Sequence, residues 1–231
     1  VLREDLRDLE NVRDVTLVTL FVEALQKRVS STVVLSNIAE DLEIHAKTAK
    51  FWLELVERMY IGFAVYPYST KGLIRTIRKP PKFYFYDNGD VEGDKGAVFE
   101  NLIATHLKKR LDFIEDSTGH RMELKYIRDK EKHEVDFVVL KGRTPVELIE
   151  TKWNEANLNP ALKYFGKKLG ITKCTQIVGT LDGDSYTEET RTRILVKGLD
   201  LTVENLLREL EGYKMIITYH GTVFDIPFLR R

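Results

Sequence analysis

The chain has 231 residues, 43% of them hydrophobic, enough to bury one large core or two modest ones. Lys+Arg and Asp+Glu balance at 36 each, so no long-range field draws the molecule as a whole toward nucleic acid or an anionic membrane. One cysteine, Cys174, excludes an internal disulfide. The histidines at 45, 106, 120, 133 and 220 are too scattered for a zinc cluster, and no run approaches the roughly 20 apolar residues of a membrane span. A reducing cytoplasm is the expected setting, with no membrane and no small-molecule cofactor. The first residue is Val1, and the last two, Arg230 and Arg231, follow an apolar run, so a fragment of a longer chain is expected.

Residues Asp14 to Arg28 place Val15, Val18, Phe21, Val22 and Leu25 at the spacing of an amphipathic helix. The stretch LSNIAEDLEIHAKTAKFWLELVERMYIG then predicts two helices. The first is capped at Ser36 and carries Ile38, Ala39 and Leu42. After a turn at Ile44-His45 the second runs from Ala46 to Met59 with Ala49, Trp52, Leu53 and Val56 inward. Such a helix-turn-helix presents its second helix to a DNA groove, which makes His45, Lys47, Thr48 and Lys50 the candidate contacts. Extended runs at Ile61–Tyr68, Leu73–Ile77 and Phe83–Tyr86 predict a β-wing. Between Lys71 and Lys82 lie five basic residues and no acid. Phosphates are expected there, with Arg75, Arg78 and Lys79 foremost.

The turn-rich DNGDVEGDKG, Asp87 to Gly96, marks a boundary. A helix from Ala97 to Phe113 follows, then strands at Met122–Arg128, Glu134–Leu140 and Val146–Trp153, the last two joined by a turn at Lys141–Thr144. Asn159 and Pro160 open a helix to Leu169, and Thr175–Leu181 reads as a further strand. The class is α/β.

Asp136 lies on the second of these strands, and Glu150 and Lys152 on the third, so two carboxylates and an ammonium converge if the strand faces coincide. That set suits phosphodiester hydrolysis. Carboxylates hold Mg²⁺, with Mn²⁺ an acceptable substitute, and a lysine orients the attacking water and stabilises developing charge. Glu100, on the preceding helix, adds a third carboxylate. A salt-bridged surface hairpin is the plain alternative, but the apolar VDFVVL and VELIE runs argue for burial.

The D-x13-E-x-K spacing with a glutamate on the helix before it resembles the PD-(D/E)xK phosphodiesterase superfamily. More narrowly, IAEDLEI, KPPKFYFYDNGD, FENLIATHL, YIRDKEKHEVDFVV and ELIETKW, from about Leu35 to Val178, are similar to the C-terminal domain of unknown function that follows the ATPase module in many archaeal and bacterial AAA-family ATPases. The resemblance implies an N-terminal winged helix-turn-helix (1–88) and a restriction-endonuclease-like αβββαβ core (89–180), with Glu100, Asp136, Glu150 and Lys152 at catalytic positions and the three acids as metal ligands. It implies DNA and an AAA-family ATPase as partners. The chain has no G-x-x-x-x-G-K-[ST] loop, so it does not supply ATP hydrolysis by that route.

Residues 181–231 read as a partial α/β tail. Its YHGTVFDIPFL resembles one motif of DEDD-type ribonuclease H-like exonucleases, in which Asp225 would bind metal. One aspartate does not build a two-metal site, so the tail is expected to be inactive alone. Three functions stand open: a Mg²⁺-dependent DNA nuclease module, a non-catalytic DNA-binding or docking domain of an ATPase, and a fragment of such an exonuclease.

Overall fold

Helices open the computed structural model, which describes residues 15–69, 79–154, 157–180, 184–189 and 192–198. Helix α1 spans Val15–Gln26 and buries Val18, Phe21, Val22 and Leu25, the stripe its periodicity dictates. Helices α2 (Leu35–Asp41) and α3 (Ala46–Arg58) follow across a short turn. Helix α2 starts one residue before Ser36, with Val34 at the capping position and no side-chain cap. Phe21 packs edge-on against Trp52, ring centroids 5.9 Å apart, and so locks α1 onto α3.

Strands β1 (Gly62–Pro67) and β2 (Lys82–Phe85) form an antiparallel pair. They do not stand out as a free wing. β1 joins the main sheet in parallel with β3 at Tyr66 and Pro67, and all four residues of β2 are buried. Gly62 permits this closeness: a Cβ there would lie 2.3 Å from the Tyr84 carbonyl oxygen. The run at 73–77, with Arg75 and Arg78, lies outside the described residues.

Helix α4 spans Lys95–Thr118, longer than the apolar pattern suggested, because its ends are set by caps. Asp94 accepts from the Ala97 amide at the start, and Gly119 takes the left-handed conformation at the end. Strands β3 (Met122–Arg128), β4 (Glu134–Lys141) and β5 (Thr144–Lys152) form an antiparallel meander. Helix α5 (Pro160–Leu169), with Asn159 as its cap and Pro160 at its first position, crosses over to the parallel strand β6 (Lys173–Val178). Strands β7 (Asp184–Glu189) and β8 (Thr192–Gly198) complete the sheet in the order β2-β1-β3-β4-β5-β6-β8-β7. β7 has no counterpart in the sequence reading. The rest of the tail, with Asp225, lies outside the described residues.

The architecture is mixed α/β, with a core on each side of the sheet. One core joins α1, α2, α3, β1, β2 and α4 to Phe137, Val139 and Ile149. The other packs α5 against Val138, Leu140 and Leu148. Alternation along β4 feeds both. No described helix is long and apolar enough to cross a membrane.

Asn101 fastens β2 to α4. It is fully buried, accepts from the Phe85 amide at 2.8 Å, and donates to the Phe85 carbonyl at 3.0 Å and to Asn88 Oδ1 at 3.0 Å. Thr105 also donates to the Phe85 carbonyl, so truncating Asn101 orphans mainly the amide. Asn101→Ala is expected to lower unfolding free energy by about 1–3 kcal/mol, read by urea denaturation; an unchanged midpoint would show that the clasp is redundant.

Candidate active site

The β4–β5 hairpin aligns the acids. Phe137 pairs with Ile149, so Asp136 and Glu150 fall opposite each other one step further on. The Asp136 amide donates to Glu150 Oε2 at 3.3 Å, and Asp136 Oδ2 accepts from the Thr151 amide at 3.0 Å and the Thr151 hydroxyl at 2.9 Å. Glu150 Oε1 accepts from Asn159 Nδ2 at 2.7 Å and pairs with Lys152 Nζ at 3.1 Å. Asn159 also caps α5. One residue therefore fixes both the helix start and the Glu150 rotamer.

Glu100 reaches the same place from α4. Glu100, Asp136, Glu150 and Lys152 line one pocket of about 600 Å³, together with Glu134, Lys132, His133 and the first turn of α5. Residues more than 50 positions apart in the chain thus share one cavity. His45, Lys47, Thr48 and Lys50 do not line it. They sit at the start of α3, with His45, Lys47 and Lys50 exposed and Lys50 Nζ 3.9 Å from Glu54. Lys79 is exposed and borders a smaller, separate cleft with Tyr126, Arg128 and Asp129.

Lys82 is a central member that sequence reasoning missed. Counted among the surface cations of the Lys71–Lys82 run, it is instead only 2% exposed. Its ammonium lies 2.8 Å from Glu134 Oε1, 3.1 Å from Glu100 Oε1 and 3.1 Å from Asp136 Oδ1. The Tyr126 ring lies beneath it, 5.8 Å from its centroid. Tyr84 donates to Glu100 Oε1 at 2.6 Å, and Ser30 donates to Glu100 Oε2. The available signal was the apolar run Phe83-Tyr84-Phe85 directly after Lys82, which marks a strand buried on both faces. Ser30 and Lys132, both lining the pocket, hold left-handed backbone at φ 68, a conformation that costs a β-carbon residue roughly 1 kcal/mol or more.

Burial works against the Lys82 charge, but the Tyr84 oxygen and the carboxylates of Asp136, Glu100 and Glu134 outweigh it and hold the lysine well above its usual range. Glu100 is pushed up to about 7 by burial and by the charge of Asp136, against the pull of Lys82. Glu150 is likewise pushed up to about 7 by burial and by Asp136, against the pull of Lys152. Burial and the contact with Glu100 raise the Tyr84 phenol, which is therefore a neutral donor. Four carboxylates, Glu100, Glu134, Asp136 and Glu150, line the pocket with three lysines, Lys82, Lys132 and Lys152, and an excess of acid is the electrostatic condition for holding a further cation.

Its donors suit a hard divalent ion. Its four carboxylates offer oxygen ligands beside the single imidazole of His133, and Mg²⁺ is commonly held by one or two carboxylates with water filling the remaining positions. Asp136 and Glu150 provide that pair. Among the described residues, the trio of acid and histidine side chains whose ligand atoms lie within 4.8 Å of one another is Asp129, Glu131 and His133, in the turn before β4. Glu100, Asp136 and Glu150 are not gathered that tightly, because Lys82 separates Glu100 from Asp136.

Comparison with known families places these features in two segments. Residues 1–91 match a domain of unknown function, DUF8612, and residues 95–195 match a second, DUF4143, known in AAA-ATPase-associated contexts. No curated protein matches the chain. The acids Glu100, Asp136 and Glu150 belong to the second segment, whereas Ser30, Lys82 and Tyr84 come from the first.

A carboxylic acid whose pKa is higher folded than unfolded binds its proton more tightly in the native state. Its contribution is complete below about 4.5 and is lost as pH rises through about 7. In chelator-treated buffer the melting temperature is expected to fall between pH 5 and pH 8, and to fall less in Glu150→Gln. A melting temperature that rises across that range would contradict the crowding of charge around Asp136.

Proposed function

We propose that this chain is a DNA-directed module with a PD-(D/E)xK-type core that hydrolyses phosphodiester bonds with Mg²⁺, or Mn²⁺ in its place, beside an AAA-family ATPase. The observation that carries this reading is the meeting of Glu100, Asp136, Glu150 and Lys152 in one solvent-reaching pocket. The order of α4, β3, β4, β5, α5 and β6 supports it, as does the DUF4143 match.

Asp136 and Glu150 would hold the ion, which when bound would lower the pKa of a coordinated water and offset charge on the scissile phosphate. Thr151 fixes Asp136 and Asn159 fixes Glu150, so both carboxylates are oriented before any ligand arrives. The Lys152 ammonium, paired with Glu150, would orient a water and stabilise negative charge at a phosphate oxygen. The N-terminus of α5 borders the pocket and adds a partial positive charge where that anion would sit. The helix-turn-helix reading of α2 and α3, with its exposed His45, Lys47 and Lys50, gives the duplex a docking surface.

A non-catalytic reading rests on Lys82, which already supplies the acids with one cation. In it the core serves only as a DNA-binding or docking platform. The two readings part in one assay. With Mg²⁺, the wild type is expected to cut linear or branched DNA, and Asp136→Ala and Lys152→Ala are expected to lose on the order of 100-fold or more in rate with DNA affinity retained. Equal cutting by all three, or none by the wild type, contradicts the proposal. DNA affinity is further expected to fall steeply with salt, and to weaken when Arg75, Arg78 and Lys79 are neutralised; a flat salt response would exclude phosphate contacts at those residues.

A further inference from the structure

We propose that the pocket takes a single divalent cation, between Asp136 and Glu150, and that the Lys82 ammonium stands permanently where a second would lie. The inference rests on the metal-dependent reading above and adds the number of ions and the residue that sets it.

The first support is an account of the carboxylate oxygens, each of which offers two lone pairs. Glu100 Oε1 receives both Lys82 and Tyr84, and its Oε2 receives Ser30. Asp136 Oδ2 receives the amide and the hydroxyl of Thr151. Glu150 Oε1 receives Asn159 and Lys152. Among the described residues, Asp136 Oδ1 has Lys82 as its only donor, and Glu150 Oε2 has only the long 3.3 Å bond from the Asp136 amide. One acceptor position therefore stays open on each of two carboxylates that face each other across the hairpin. That pair suits one ion.

The second support is the burial of the lysine. A two-metal centre spaces its ions about 3.5–4 Å apart and shares carboxylates between them. Here the acids that a second ion would share, Glu100, Glu134 and one side of Asp136, all hold Lys82. A lysine on a surface strand could swing its head into solvent and leave those acids to a metal. Lys82 is instead 2% exposed, on a strand buried at every position, with the Tyr126 ring beneath its ammonium and three carboxylates around it. Lys82 and its neighbours Tyr84 and Ser30 lie in residues 1–91, whereas the acids lie in residues 95–195. The first segment thereby fixes how many ions the second can hold.

The test is Mn²⁺ binding to the full chain, counted from the free-ion electron paramagnetic resonance signal. The wild type is expected to bind one equivalent, Asp136→Ala none, and Lys82→Met two. Circular dichroism confirms that each variant is folded. If Lys82→Met does not fold, Glu100→Gln takes its place and is expected to keep the single equivalent. Two equivalents on the wild type, an unchanged count in folded Lys82→Met, or loss of the ion in Glu100→Gln would overturn the inference and leave the metal-dependent reading standing. No bound Mn²⁺ on the wild type, or binding that survives Asp136→Ala, would overturn both.

Discussion

A lysine ammonium buried among three carboxylates is the constraint on which the rest of this molecule depends. Removing a charge from water costs several kcal/mol even after relaxation, so Lys82 is tolerable only with its partners in place. Those partners come from α4 and β4, and the strand that delivers Lys82 is β2. The ion cluster therefore ties the N-terminal hairpin to the meander, alongside the shared sheet and the shared apolar core. The segments matched to two separate domains of unknown function are joined at the pocket by this cluster.

The same cluster shapes the chemistry available to the pocket. Four carboxylates and three lysines line it, and burial together with the charge of Asp136 pushes Glu100 and Glu150 both up to about 7. Asp136 is common to both effects, being the charge that each glutamate opposes and the acid that Lys82 and Thr151 both hold. On the proposed reading, such a centre would take a cation on the Glu150 side, with Lys82 in its place on the Glu100 side. Its orienting groups, Thr151 and Asn159, act from neighbouring backbone and a helix cap, which keeps the carboxylates in place without a metal.

Much of this was legible in the sequence where local rules suffice. The gap between Asp136 and Glu150 is what a tight antiparallel hairpin requires, so spacing alone aligned them. Helix α5 was readable because Asn159 and Pro160 are an unambiguous start. Lys82 was misassigned because charge counted along a chain carries no information about burial, and a basic run before a buried strand looks like a basic surface. The ends of α4 escaped the apolar pattern because its last turn, Glu115-Asp116-Ser117-Thr118, is polar and Gly119 ends the helix. β7 escaped because Asp184-Ser185-Tyr186-Thr187-Glu188-Glu189 lacks the apolar run of a central strand. It lies at the sheet edge, where pairing with β8 suffices. The hairpin β1–β2 was recognised as strands, but its place in the sheet depends on the long-range pairing of Tyr66 and Pro67 with Lys125 and Tyr126, which no window of sequence contains.

The claim that Lys82 holds one cation position and leaves the other free is tested most directly by anomalous scattering from crystals soaked in Mn²⁺. The account predicts one anomalous peak, bounded by Asp136 and Glu150, beside a Lys82 still bonded to Glu100 and Glu134. A peak among Glu100, Glu134 and Asp136, with the lysine displaced, would contradict it.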